Sequence, residues 1–362
     1  MIEGMGGSTN AYTTFDNTVY YQSFPAKNLE MIIDLEADRM QNLLLEPVAF
    51  ESERQVVKEE RKYRYENGPQ GKLYLAMMKA IFEKSPYGGS VIGELEDLNN
   101  LNRDHVFDFF KSYYAPNNAV LVVVGDVDIP TTMKLIKEKY GPIPLSKGVE
   151  KLKMEKDKKE LYVAQARFKR EVQLNGNNEN TLFMLTYPGE ALGTRKAFVM
   201  DVLSSILGEG ESSYLHHKFV MGEKPVLSEV SASNHNLKYN GLFFISGQLL
   251  AGSSDKNVKE KLLKSLKEAC TEKEMALTER SLQKSKNQYL VDYYQDIQTN
   301  FGLAVFLGMR ENFFNDYRFY EKELSTYQSI TLPEVVSECH NLFDSNKWIY
   351  LKINNKIKND TF

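Results

Sequence analysis

The sequence predicts an α+β fold of two homologous domains, and three observations support this prediction. Short segments rich in Thr, Val, Tyr and Phe, typical of β-strands, alternate with longer segments whose apolar residues recur every three to four positions, as in helices. The second half of the chain repeats the order of segments in the first half. The 362 residues, of which 42% are hydrophobic, suffice for two domains that each have a core.

The repeat consists of matched residues whose offset drifts slowly along the chain. The matches are Tyr20-Tyr21 with Phe243-Phe244 (offset 223), Glu53-Arg54 with Glu279-Arg280 (offset 226) and, without gaps, Leu101–Val124 with Ile330–Ile353 (offset 229). Everything in the second half before about Leu227 has no counterpart after Met1. We therefore expect the first domain to lack about 55 opening residues, namely two strands and a core helix, which would leave a sheet edge and apolar surface exposed.

The first domain is predicted over residues 1–143, and its elements follow from local signals. Residues 8–24 contain two strand-like runs around the turn signal Asp16-Asn17, so we expect a strand pair. The expected elements after it are helices over 26–44, 49–66, 72–82 and 102–114, a buried strand over 119–127, and a helix ending at Tyr140.

Residues 144–163 are rich in lysine, lose apolar periodicity and predict a linker. The second domain, 164–362, is predicted to carry no metal site. Its expected elements are strands over 167–174 and 181–188, a helix over 194–207, strands between Ser228 and Gly247, two long helices ending near Tyr294, and a final helix and strand over 335–353.

The predicted helix over 49–66 carries two acids on its apolar face. Phe50, Val56, Val57 and Tyr63 form an apolar stripe, and Glu53 and Glu60, two turns apart, lie on the same stripe. Glutamate is seldom buried unless it is paired or bound to a metal. Two interpretations stay open: the acids bind something inside the protein, or they reach water at the edge of the stripe beside Arg54, Arg61 and Arg64. At the position of Glu60, the second half has Lys286.

Composition excludes several classes of function. A net charge of −4 and a pI near 5.9 give no electrostatic footprint for nucleic acid or anionic membranes, and no window is apolar enough to predict a membrane span. Cys270 and Cys339 have neither a metal-ligand spacing nor the pattern of a disulfide framework. The compartment is therefore not predicted.

Several motifs together resemble the pitrilysin/insulinase-type zinc metallopeptidases, in particular their bacterial processing-peptidase-like branch. The motifs are Gly7–Thr13 (GSTNAYT), Glu53–Glu60 (ERQVVKEE), Pro86-Tyr87-Gly88, Ile92-Gly93, Tyr113–Asn118 (YYAPNN) and Gly125-Asp126. The match is dense over residues 1 to 140 and looser beyond. The resemblance implies that each domain is a mostly antiparallel sheet covered by helices, and that two such two-domain units enclose a chamber.

The resemblance also implies a set of site residues. Glu60 resembles the third zinc ligand of such enzymes, and Glu53 resembles the acid that supports the site from two turns earlier. Asn10, Ala11 and Tyr12 resemble the edge strand that binds an extended peptide or unfolded polypeptide as an added β-strand. In the family, a zinc-activated water attacks the peptide bond, with a Glu of an H-x-x-E-H helix as the base.

The sequence departs from the family at two places. No H-x-x-E-H motif occurs, and none of the five histidines has another three or four residues away. The Arg and Tyr that the family often has in its second domain are replaced in the segment that holds Val220, Met221, Leu227 and Ser228. We therefore expect a homodimer or a homologous partner that supplies Arg and Tyr, and zinc bound tightly only by a longer chain.

Two functional hypotheses follow. The chain is a zinc-dependent endopeptidase that is inactive as these 362 residues alone, or it is a non-catalytic homologous subunit or scaffold that forms half of a peptidase chamber.

Overall fold

The computed structural model describes residues 1–149, 162 and 170–354. Its strands form a two-stranded and a five-stranded sheet. In chain order, the strands are β1 (Ser8–Thr13), β2 (Thr18–Ser23), β3 (Arg170–Asn175), β4 (Leu182–Pro188), β5 (Leu227–Asn236), β6 (Gly241–Leu249) and β7 (Ile349–Asn354).

Helices flank both sheets and make the fold α+β, as predicted. In the first half they are α1 (Leu29–Asn42), α2 (Pro47–Arg61), α3 (Pro69–Phe82), α4 (Leu95–Asn100), α5 (Arg103–Tyr113) and α6 (Ile129–Tyr140). In the second half they are α7 (Arg195–Gly208), α8 (Tyr214–Phe219), α9 (Asp255–Ala269), α10 (Glu279–Asp296), α11 (Asn300–Phe314), α12 (Phe319–Ser329) and α13 (Leu332–Asp344).

The five-stranded sheet has the order β3-β7-β4-β6-β5 and is mostly antiparallel. Only the pair β3–β7 is parallel, whereas β4 pairs antiparallel with both β6 and β7. The side chains of Leu185, Phe243 and Leu351 from its central strands are fully buried. Helix α7 packs on β5 and is apolar nearly all round, as expected for a helix enclosed by other elements.

The chain forms two compact units, and each draws on both halves of the sequence. The first unit comprises Met1–Glu59, Tyr293–Tyr320 and the described part of Val91–Lys158; the second comprises Glu60–Ser90, Glu321–Phe362 as far as residue 354, and the described part of Lys159–Asp292. In the second unit, α3 packs on β4 and β7. In the first, α11 lies against the hairpin, since the tilted rings of Phe301 and Tyr21 have centroids 4.5 Å apart.

Most predicted elements are confirmed, and their ends coincide with local capping signals. The side chains of Asn102 and Thr194 accept hydrogen bonds from the backbone at the starts of α5 and α7. The predicted helix over 49–66 is confirmed as α2, followed by a wider π-helical turn over Lys62–Glu66. The predicted linker, 144–163, lies largely outside the described residues, and the domain boundaries on either side of it stay a prediction.

Two predictions about burial and strand formation are wrong. Residues 119–127 form no strand, and Val120 and Leu121 are 41% and 48% exposed. In the part of the chain that the structure describes, no strand pairs with this segment, so its β-forming side chains have no ladder to join. The stripe on α2 is not buried either: Val56 and Tyr63 are largely exposed.

The interpretation of the cysteines is also wrong. Cys270, directly after α9, and Cys339, in α13, form a disulfide with their Cα atoms 5.5 Å apart. Because the two residues are 69 positions apart, only the packing of α9 beside α13 brings them together.

No helix within the described ranges has both the length and the apolar character needed to cross a bilayer.

Candidate functional site

The predicted substrate strand is the first strand of a hairpin. Strand β1 pairs antiparallel with β2, so that Asn10 lies opposite Tyr21 and Tyr12 opposite Val19. Among the residues that the structure describes, no third strand joins this sheet, and β1 is exposed at all positions except Tyr12. The outer edge of β1 therefore offers backbone groups to a further strand.

The hydrogen-bond pattern of the hairpin identifies which backbone groups face outward. The N–H of Thr14 donates to the carbonyl of Asn17 at 2.8 Å and closes the turn. In an antiparallel pair, every second residue exchanges hydrogen bonds with its partner strand, so Tyr12 and Asn10 bond to β2 and Ala11 faces away from it. In agreement, the Ala11 N–H donates to the side-chain Oδ1 of its own neighbour Asn10 at 2.8 Å.

Tyr12 differs from its two neighbours because its side chain is partly buried. Its ring lies 6.4 Å from the ring of Tyr21, centroid to centroid. Burial, and then the nearby Tyr21 hydroxyl, raise the pKa of Tyr12 above the usual value of 10.0. The phenol is therefore protonated at neutral pH, and it supports the strand as a neutral group that can donate a hydrogen bond.

Within the described part of the chain, the two acids of α2, Glu53 and Glu60, are not surrounded by other metal-ligating side chains. Glu60 forms an ion pair with Arg64 at 2.6 Å, and the side chain of Glu60 is 42% exposed. Glu53 is exposed. Seven residues of α-helix separate the two acids by about 10 Å along the axis, so Glu53 does not bind the same ion directly. Of the two interpretations left open by the sequence, the solvated one describes this arrangement.

Helix α2 is held in place by Arg54, which sequence reasoning did not single out for this purpose. Its guanidinium donates to the carbonyl oxygens of Leu98, Asn99 and Leu101 at 3.4, 2.7 and 3.2 Å. These carbonyls lie at the C-terminal end of α4, where helices leave acceptors unpaired. The only sequence signal was the matched pair Glu53-Arg54 and Glu279-Arg280.

The described residues do not form a zinc site. No group of three or more His, Cys, Asp or Glu side chains lies close enough together, in residues 1–149, 162 and 170–354, to hold a metal ion. The carboxylate of Glu60 is paired with the guanidinium of Arg64. A catalytic zinc needs three protein ligands and an open position, so the donors present do not fit the ion by themselves.

The segment predicted to lack the Arg and Tyr of the family carries no substitute for them. Met221 is exposed, and Leu227 is buried at the start of β5. The cation of the segment itself, Lys224, is exposed. The nearest phenol, Tyr214, accepts a hydrogen bond from Lys218 at 2.7 Å, and Lys218 also pairs with Glu274 at 2.8 Å. Burial raises the pKa of Tyr214 to about 12. This cluster joins α8 to the segment after α9.

Comparison with known families gives two adjoining matches. The profile of the Peptidase M16 inactive domain matches residues 100–289, which is just over half of the chain. The profile of Insulinase (Peptidase family M16) matches residues 1–94, the part that contains β1 and α2.

Curated relatives include named proteases. The zinc protease PqqE of Helicobacter pylori is 29% identical over 309 residues, which cover 84% of this chain and 67% of PqqE. The mitochondrial-processing peptidase subunit beta of Lentinula edodes is 24% identical over 303 residues, 79% of this chain and 61% of that protein. The chain thus spans about two thirds of the length of these relatives.

Solved structures share the fold over nearly the whole chain. A protease from Helicobacter pylori superposes with a TM-score of 0.82 at 23% identity and covers 98% of this chain and 83% of its own. A peptidase M16 inactive domain from Pseudomonas fluorescens has a TM-score of 0.80 at 15% identity and covers 98% and 82%. At these identities the likeness shows the fold.

Proposed function

Since the chain belongs to peptidase family M16, we propose that it is part of a zinc-dependent peptidase and binds peptides as an added strand on β1. The observation that carries the proposal is the outer edge of β1, whose backbone groups are accessible at the motif that matches the family. The substrate is an extended peptide or an unfolded polypeptide, because an edge strand recognises main chain and binds only a segment without its own fold.

The binding step follows from the groups on β1. An incoming strand accepts a hydrogen bond from the Ala11 N–H, which Asn10 now occupies, and donates to the Ala11 carbonyl. Asn10 is exposed, so its side chain leaves Ala11 without breaking buried contacts. The partly buried Tyr12 ring holds β1 on β2 while the peptide binds. This mode places few demands on substrate side chains.

Within this proposal, Glu60 is the metal ligand and Glu53 supports it. Zinc, when bound, would supply a water activated for attack on the peptide bond. To bind zinc, Glu60 must exchange Arg64 for the ion, and two further ligands and a general base must come from outside the described residues. No step of hydrolysis is assigned to this chain alone, for which we expect no independent peptidase activity.

The proposal includes a homologous partner or a second copy of the chain that supplies Arg and Tyr. The absence of either residue from the segment between α8 and β5 motivates it. In addition, one curated relative is named as a subunit, the mitochondrial-processing peptidase subunit beta.

We also propose that the two halves arose by duplication. The order of elements supports this: strands β1 and β2, helices α1, α2, α3 and α5 follow one another as do β5 and β6, α9, α10, α11 and α13. The boundaries at 1–143 and 164–362 belong to this proposal.

The second candidate function is a non-catalytic subunit or scaffold of a peptidase chamber. It is favoured by the match to a domain described as inactive over residues 100–289, and by the ion pair that engages Glu60. Zinc measured on the protein isolated from its own cell separates the two. One zinc per chain supports the peptidase, and a zinc-free protein supports the scaffold.

Peptide docking on β1 is tested with Ala11→Pro. Proline removes the outward N–H without removing a β1–β2 hydrogen bond, and proline is tolerated on edge strands. We expect at least a tenfold loss of affinity for a fluorescein-labelled unstructured peptide, measured by fluorescence anisotropy. Ala11→Ser keeps the N–H and is the matched control, with affinity near that of the unchanged protein. Equal affinities for the two variants would contradict docking on this edge.

A further inference from the structure

The disulfide lies between two helices of the second unit. Cys270 follows the last residue of α9, and Cys339 lies in the middle of α13. Both residues are buried, with exposed fractions of 3% and 0%. Their Cα separation of 5.5 Å is the usual one for a disulfide, so the two helices accept the bond in their packed positions.

The two helices are also joined by non-covalent contacts on either side of the disulfide. Apolar residues of α9 and α13 are buried, among them Leu266 and Val335. Nearer the surface, Lys267 forms an ion pair with Asp344 at 3.7 Å. Asp344 also bonds to His340 at 2.9 Å. The disulfide therefore reinforces an interface that already exists, instead of holding two mobile segments.

The position of the bond in the chain is its most informative feature. Between the two cysteines the chain forms α10, α11 and α12, and the stretch Tyr293–Tyr320 belongs to the first compact unit. The chain thus leaves the second unit after Asp292 and returns to it at Glu321, and both crossings lie between the two cysteines. The disulfide closes the segment of residues 271–338, which we call the excursion because its middle part, Tyr293–Tyr320, belongs to the first unit, whereas its two flanks belong to the second.

Closing a loop of this length restricts the unfolded chain strongly, because loop-closure entropy rises with the number of residues enclosed. Burial of both sulfur atoms also keeps thiolates in solution from attacking the bond in the folded protein. A disulfide buried in this way stays oxidised in the folded protein during brief changes of redox potential.

We propose that Cys270–Cys339 is a structural disulfide that clasps the two ends of the excursion together within the second unit, and that the protein folds in an oxidising compartment. In forming the bond, two thiols lose two electrons and two protons to an oxidant of the disulfide class, which is reduced to a dithiol. Such oxidants act outside the reducing cytosol. The inference does not depend on zinc or on peptide binding.

The redox state is tested first on the protein isolated from its own cell. The sample is denatured in iodoacetamide, with or without prior reduction, and analysed by mass spectrometry of the peptides that contain Cys270 and Cys339. We expect no alkylation without reductant and complete alkylation after it. Alkylation of both cysteines without reductant would overturn the proposal, whatever the behaviour of any variant.

The clasp is tested by thermal unfolding with and without dithiothreitol. For the unchanged protein, reduction in mild denaturant is expected to lower the midpoint on the order of 10 °C. The variant with Cys270→Ala and Cys339→Ala starts at the lower midpoint and does not respond to reductant. Val335→Ala on α13 is the matched control: it loses core contacts but keeps its response. A midpoint of the unchanged protein that is insensitive to complete reduction would refute the clasp.

Hydrogen exchange locates the effect. On reduction, deuterium uptake should rise in peptides from α9, α13 and the excursion. Helix α5 of the first unit lies outside the segment that the disulfide closes, and its uptake should not change. An equal rise in α5 would mean general loosening and would contradict a local clasp.

Discussion

Two segments of similar composition, residues 120–124 and β7, differ in secondary structure and in burial. Both are runs of large apolar residues, VLVVV and IYLKI. Strand β7 lies between β3 and β4, and Ile349, Leu351 and Ile353 are fully buried. Residues 120–124 have no strand neighbour among the described residues, and Val120 is 41% exposed. The comparison shows that β propensity produces a strand only where partner strands complete the hydrogen bonds.

The largest expected difference between the two segments is in the free energy lost on truncation. Leu351→Ala removes a fully buried side chain from the centre of the sheet and should cost about 2 to 5 kcal/mol. Val122→Ala removes two methyl groups from a partly exposed side chain and should cost less than about 1 kcal/mol.

Both variants are measured by urea unfolding, followed by circular dichroism and by the fluorescence of Trp348. This is the only tryptophan in the chain and it directly precedes β7, so its emission reports the second unit. Equal losses for the two variants would mean that residues 120–124 are as well packed in solution as β7.

A second contrast concerns two Arg–Glu pairs. Arg195 donates to both carboxylate oxygens of Glu334, at 2.7 and 3.0 Å, and thereby joins the start of α7 to that of α13. Glu334 also accepts from the N–H and hydroxyl of Thr331 in a capping box. Glu60 and Arg64, by comparison, form an exposed pair within one helical stretch.

The Glu334 pair should make stability depend on pH. The hydrogen bond from Arg195, and then those from Thr331, lower the pKa of Glu334 from 4.5 to about 2. The folded pKa lies below the unfolded one, so the stabilisation is present above about pH 4.5 and is lost as the pH falls toward 2. Since the carboxylate is partly exposed, we expect only about 1 kcal/mol at neutral pH.

This dependence is measured as the difference in unfolding free energy between the unchanged protein and Glu334→Gln across pH 2 to 7. The difference should shrink between pH 4.5 and 2. A difference that is constant over this range would show that the carboxylate has no special stabilisation in the fold.

The sequence predicted those structural features that depend on residues close together in the chain. The predicted helices over 102–114 and 194–207 begin at Asn102 and Thr194, which cap α5 and α7 in the structure, and a capping side chain acts within three residues of itself. Pairing of β1 with β2 followed from the turn between them. The disulfide, the unpaired segment over 119–127 and the three carbonyls held by Arg54 depend on residues far apart in sequence, and no local pattern carries that information.

The candidate site shows the same division. Its motif in β1 was identifiable, and the outward direction of Ala11 follows from the hairpin that the same residues form. The surroundings of Glu60 were not identifiable, because the sequence shows Arg64 one turn away but does not show that the two side chains form an ion pair.

The smallest expected effect on stability, and the sharpest on function, comes from Glu60→Gln. The exposed pair with Arg64 contributes little, so unfolding free energy should change by less than about 0.5 kcal/mol. If Glu60 is the zinc ligand, the same change made in the protein as it exists in its cell should abolish zinc retention, measured by atomic emission on purified protein. Arg64→Met, which frees Glu60 from its ion pair, is the control and should keep zinc. Unchanged zinc content in Glu60→Gln would reject the ligand assignment, and Glu60 would then be a solvated partner of Arg64, as Glu51 is of Arg54 on the same helix.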